Sequence, residues 1–163
     1  MRKAVSLLML VMLSLPTACA KEENSHGKPV NTDSNNSENP RGITYNRINY
    51  VTVSEDTAPV QIVKSIQAHK EKKGFLIYED TAEGYIYIAV LSGTKHTGGY
   101  SIRITKIGDS EGKTEVTVEE KAPGKNDIVT QAFTYPRIIV RAKGITTNIA
   151  VKDAKGNEYG KLN

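Results

Sequence analysis

The chain has 163 residues, a formal net charge of +4 and one cysteine. So small a charge surplus gives no argument for a nucleic-acid partner, and a lone thiol excludes any intramolecular disulfide, so the fold must rest on its core alone. The length suits one domain plus a tail.

The start reads Met1-Arg2-Lys3, then an apolar run from Ala4 to Leu15, then Pro16-Thr17-Ala18-Cys19-Ala20. A basic segment, an apolar core and small residues make a secretory signal. The run is about twelve residues, whereas a membrane span needs roughly 20. Its tail resembles a bacterial lipoprotein box, in which the cysteine becomes the acylated first residue of the mature protein. Pro16 departs from that box, where an aliphatic is typical; Thr17-Ala18-Cys19 fits it. The competing reading is an ordinary signal cut after Ala20. The expectation is a lipoprotein signal peptide over 1–18 and lipidation of Cys19. That anchor would hold the protein on the extracytoplasmic face of the cell membrane or outer membrane. Two or more acyl chains anchor stably where one binds marginally. Loss of Arg2 and Lys3 lowers the net charge to about +2.

Residues 19–42 read as a disordered tether. Lys21 to Gly42 is rich in Asn, Ser, Glu, Gly and Pro and has one aliphatic, Val30. Such a stretch buries too little apolar surface to offset chain entropy. It would reach on the order of 25 Å. The folded domain is placed at 43–163.

Ile43 to Val53 opens the domain as a strand, with β-branched and aromatic residues. Asp56 or Thr57 as cap, Pro59 in the first turn and the stripe Ile62, Val63, Ile66 predict a helix over about 59–72. Lys70, Lys72 and Lys73 suit its last turn and Gly74 its end. Strands follow: Phe75 to Tyr78, an apolar and central Tyr85 to Leu91, an alternating Tyr100 to Ile107, and Thr114 to Val118. Asp109 to Gly112 is a hairpin turn and Ala122 to Asp127 a loop. Gln131 to Lys143 reads as a long strand interrupted at Pro136, a residue that belongs at an edge, bend or bulge. Ile149 to Val151 and Tyr159 to Leu162 flank the last turn. Short turns favour antiparallel pairing. The fold class is α+β, mainly β: an antiparallel sandwich or rolled sheet with one N-terminal-side helix.

No G-x-S-x-G, H-E-x-x-H or C-x-x-C pattern occurs. His69 lies amid lysines and His96 in a loop, which is poor support for a metal pair. A Ser92, His96, Asp109 triad can be written down, but no elbow or oxyanion motif supports it. Glu119-Glu120 reads as a solvated strand edge. No cofactor, metal or catalytic residue is expected. The segment that stands out is Ser92 to Ser101, with three glycines between two strands. Paired glycines allow positive φ or close backbone approach, and Tyr100 is of a type enriched at binding hot spots. The same residues also suit a plain turn.

Gly84-Tyr85, Thr97-Gly98-Gly99-Tyr100 with Ile102 and Ile104, Ala122-Pro123-Gly124, Thr130-Gln131-Ala132 and Tyr135-Pro136 together resemble the PrcB family. The likeness runs from about Phe75 to Val140. Its members are lipoprotein-like subunits named after one that assists a surface subtilisin-like protease. The resemblance implies a non-enzymatic domain that binds another protein, an accessory subunit of a surface or secreted protease. Candidate contacts are Thr97, Gly98, Gly99 and Tyr100, with Pro123, Tyr135 and Pro136 as neighbours. A looser likeness to chagasin-type cysteine peptidase inhibitors gives the alternative, a loop wedge. Pro136-Arg137 is reversed relative to that family, and no tryptophan follows. A small hydrolase is a third reading.

Overall fold

A computed structural model describes residues 46–163. The predicted signal peptide, Cys19, the tether and the first three residues of the predicted domain lie outside the described residues. The elements are β1 (Asn46–Arg47), β2 (Tyr50–Val53), α1 (Val60–His69), β3 (Lys73–Asp80), β4 (Tyr85–Ser92), β5 (Ser101–Ser110), β6 (Lys113–Lys121), β7 (Arg137–Ala142), β8 (Ile149–Asp153) and β9 (Glu158–Tyr159). They form two sheets, β1-β5-β6-β8-β9 and β2-β7-β4-β3. Over the described residues, the fold is a mainly-β α+β sandwich with one helix on its N-terminal side.

β4 explains the layering. Its sequence is apolar at nearly every position because both of its faces are covered. Ile86, Ile88 and Val90 meet Ile104, Ile107, Val116, Val118 and Val151 of the opposing sheet. Tyr87, Ala89 and Leu91 alternate onto the other face and pack with Ile62 and Ile66 of α1. Each fully buried aliphatic side chain here contributes about 1.5–3 kcal/mol relative to an exposed one. The order is therefore helix, four-stranded sheet, five-stranded sheet.

Several details differ from the sequence expectations. The opening strand breaks after Arg47, and its halves β1 and β2 join different sheets. α1 is shorter, with Pro59 itself at the N-cap position and no side-chain cap; Thr57 instead bonds back to Ser54 within the preceding turn. Gly74 does not end the helix. It lies in β3, where an added Cβ would stand 2.6 Å from the Gly160 carbonyl, because the C-terminal segment runs along β3 (Leu162 N donates to Phe75 O, 2.8 Å). Residues 131–136 are not strand, and β7 begins immediately after Pro136, consistent with a residue that has no amide hydrogen to offer a ladder. One pair, β6 with β8, is parallel. The chain from β7 crosses between sheets before reaching β8, and Thr146 fastens that crossing: its amide donates to Thr114 Oγ1 (3.1 Å) and its hydroxyl to Gly112 O (3.1 Å).

β5 carries a bulge between Ile104 and Lys106, leaving Thr105 unpaired with β6. One extra residue flips the alternation, so Ile104 and Ile107, three apart, both face the core.

Candidate functional site

Two loops leave the same end of the sandwich. One, 93–100, joins β4 to β5; the other, 122–136, joins β6 to β7. They are far apart in sequence and stitched together in space. Lys95 and Thr134 exchange both backbone hydrogen bonds at 2.9 Å, Gly98 N donates to Thr130 O at 2.9 Å, and Thr134 Oγ1 donates to Thr97 O at 2.7 Å. The glycines are what permit the approach. A Cβ on Gly98 would stand 2.6 Å from Thr130 Oγ1. Gly99 has φ +83°, and a Cβ there would meet Pro123 Cβ at 2.9 Å and Val129 Cγ1 at 3.0 Å. Asp127 closes the tip of the longer loop, its carboxylate accepting from Gly124 N at 2.7 Å.

The structure thus brings Thr97, Gly98, Gly99 and Pro123 into one cluster. Tyr100 is half-buried just before β5, with Lys95 Nζ 5.4 Å from its ring centroid. Tyr135 lies under Lys70 Nζ at 5.0 Å, and its carbonyl accepts from Arg137 Nη1 at 3.0 Å. Arg137 in turn pairs with Glu55 of the β2–α1 turn. Pro136 O accepts from Ser92 N at 2.9 Å. Every glycine and proline here has a structural task.

Two residues not singled out in the sequence are the most exposed apolar groups of this end. Ile128 is fully exposed and Phe133 is 62% exposed. The Phe133 ring also lies against His96, with ring centroids 5.2 Å apart and the planes tilted by 57°. Reading 131–143 as strand hid Phe133, because alternation assigned it a sheet position. Ile128 was legible only as an apolar residue in a polar loop.

Beneath the loops, Glu120 is not a solvated edge. Near the end of β6, it accepts from Tyr159 Oη (2.5 Å) and pairs with Lys73 (3.0 Å) and Lys95 (2.9 Å). It joins both sheets and the base of the 93–100 loop. Lys73 also lies over the Tyr159 ring, 4.4 Å from its centroid. Burial pushes the Glu120 pKa up, but the hydrogen bonds from Tyr159, Lys95 and Lys73 outweigh it and hold the carboxyl below its ordinary value. Tyr159 moves up, through burial first and then the Glu120 hydrogen bond and charge.

Groups considered for chemistry are not assembled. Ser92 and His96 lie at the loop end, while Asp109 is near the opposite end of β5, where it accepts from Thr114 Oγ1 at 3.3 Å. His69 Nδ1 contacts Ser65 O at 2.9 Å within α1. Among the described residues, no group of three His, Cys, Asp or Glu side chains could hold a metal ion, and no helix is long and apolar enough to cross a membrane.

Fold and loops together define a helix-covered β-sandwich that presents a preorganised two-loop surface. Residues 86–143 match the family described as PrcB C-terminal. The match runs from β4 to just past β7 and so contains both loops. No curated protein and no solved structure is significantly similar to the chain.

Proposed function

We propose that this is a non-enzymatic, lipid-anchored, extracytoplasmic domain that docks another protein through the paired loops. The observation that carries the reading is the exposure of Ile128 and Phe133 on a loop held by four hydrogen bonds to its neighbour. Exposed apolar side chains on a rigid frame are the ingredients of a binding hot spot, since little ordering cost remains on association. The partner proposed is a surface or secreted protease, which the domain serves as an accessory subunit; this follows from the PrcB likeness.

The position of the first described strand supports the same arrangement. β1 pairs with Gly108 and Asp109 at the far end of β5 from Tyr100. Eight residues of strand separate Ser101 from Asp109, on the order of 25 Å. A tether from acylated Cys19 would approach that far end and leave the loops facing away from the bilayer.

Affinity capture from membrane fractions, comparing wild type with an Ile128→Asp, Phe133→Asp double variant, tests the docking surface. A protease retained by wild type and lost by the variant is the expected result; identical retained sets would refute the reading. Acyl labelling of wild type and Cys19→Ser tests the anchor, and equal labelling would remove it.

A further inference from the structure

The opposite end of the molecule carries two cations that form no ion pair with a described acid. Arg141, on β7, lies between Val51 of β2 and Tyr87 of β4. Its guanidinium carbon is 4.6 Å from the Tyr85 ring centroid, and Lys143 Nζ is 4.2 Å from the same centroid. Arg141 Nε is buried and donates to no acceptor among the described residues. The nearest acid by register is Asp80, paired across from Tyr85 on β3. Its Oδ1 is taken by the amides of Ala82 and Glu83, each at 3.2 Å. Glu79 alternates onto the other face of the sheet.

This arrangement is costly as it stands. A buried donor without an acceptor loses its hydration for nothing, and two like charges gathered on one ring repel. An oxyanion bound by the outer guanidinium nitrogens and the ammonium would offset the repulsion, with the Nε–H beside it as a reporter. We propose that Arg141 and Lys143, stacked on Tyr85, form a phosphate-binding site.

Location bears on the source of the phosphate. Arg141 and Lys143 lie at the end of β7 and Tyr85 at the start of β4, at the end of the sandwich away from the 93–100 and 122–136 loops. Tyr78 and Tyr87 extend the aromatic surface beside Tyr85, with ring centroids 6.1 Å apart for that pair and 6.4 Å for Tyr85 with Tyr87. Tyrosines beside cations suit the headgroup level of a bilayer. A lipid headgroup and free phosphate share the chemistry, and the experiment separates them. The site depends on neither the docking loops nor the acyl anchor, so its failure would leave those readings intact.

The test is a titration of the full chain in neutral maltoside micelles, read by the Arg141 Nε–H resonance and the backbone amide spectrum. Inorganic phosphate is added at constant ionic strength against a chloride control, and in a second arm phosphatidylglycerol is mixed into the micelles. A saturable shift of Arg141 Nε–H is expected. Affinity should fall about tenfold in Lys143→Gln and persist in Lys143→Arg, with the amide spectra of both variants otherwise unchanged. Saturation at lower concentration by phosphatidylglycerol than by phosphate identifies the headgroup as the source; the reverse order identifies soluble phosphate. No saturable shift in either arm, an equal shift with chloride, or undiminished affinity in Lys143→Gln overturns the proposal.

Discussion

Gly98 lies so close to Thr130 that a β-carbon on the glycine would stand 2.6 Å from the threonine hydroxyl oxygen. That approach, with the Gly98 N to Thr130 O bond beside it, is what makes two loops one surface. Gly98→Ala should therefore cost about 1–3 kcal/mol, the range for overpacking a fitted site. Thr130→Ala removes the offending atom. The double variant should be more stable than the sum of the single effects predicts, because the residues share one contact. Urea denaturation of the four proteins measures the coupling; strict additivity would show that the loops are not packed as described.

Acid should weaken the Glu120 cluster. Its folded-state pKa lies below the ordinary 4.5 because three donors stabilise the carboxylate against the opposing effect of burial. The unfolded chain therefore binds that proton more readily than the folded one. The stabilisation is complete above about pH 4.5 and is lost as pH falls through the lower folded value. Glu120→Gln should be less stable than wild type at pH 7, and its stability should fall less steeply below pH 4.5. Thermal melts from pH 7 to pH 3 check this; parallel curves would contradict it.

Ile128 and Phe133 should matter for binding and not for folding. Replacing exposed side chains away from packed features usually changes stability by less than about 0.5 kcal/mol. Ile128→Asp should fall within that range while abolishing capture of the partner. Phe133→Ala should also release His96, whose ring rests on it, and its imidazole resonances should shift.

The helix should be held by packing. Ile66 is fully buried against β3 and β4, whereas Val60 on the same helix is 58% exposed. Ile66→Ala is expected to cost about 2–5 kcal/mol, and Val60→Ala about 0.5 kcal/mol or less. Equal effects would mean that α1 does not cover the sheet.

Much was legible along the chain because local chemistry governs it. Alternation at Ile102 and Ile104, the unbroken apolar run of β4 and the stripe Ile62–Ile66 each report a local periodicity that burial imposes. Thr-Gly-Gly-Tyr and the proline loop were visible as motifs, since positive φ and a missing amide hydrogen are properties of single residues. The mainly-β class and the PrcB likeness follow from such signals, and so do the expectations for residues 1–42.

Pairings between distant residues carry no such local mark. The parallel β6–β8 ladder, the bulge that turns Ile107 inward and the run of the C-terminal segment along β3 arise from how strands find partners. Glu120 looked like any exposed acid until Lys73, Lys95 and Tyr159 converged on it from three other parts of the chain. Nothing local marks Lys143 and Arg141, which the fold gathers on Tyr85 with no ion pair to a described acid. Periodicity is written in neighbouring residues, while the partner of a charge depends on which distant segments the core draws together.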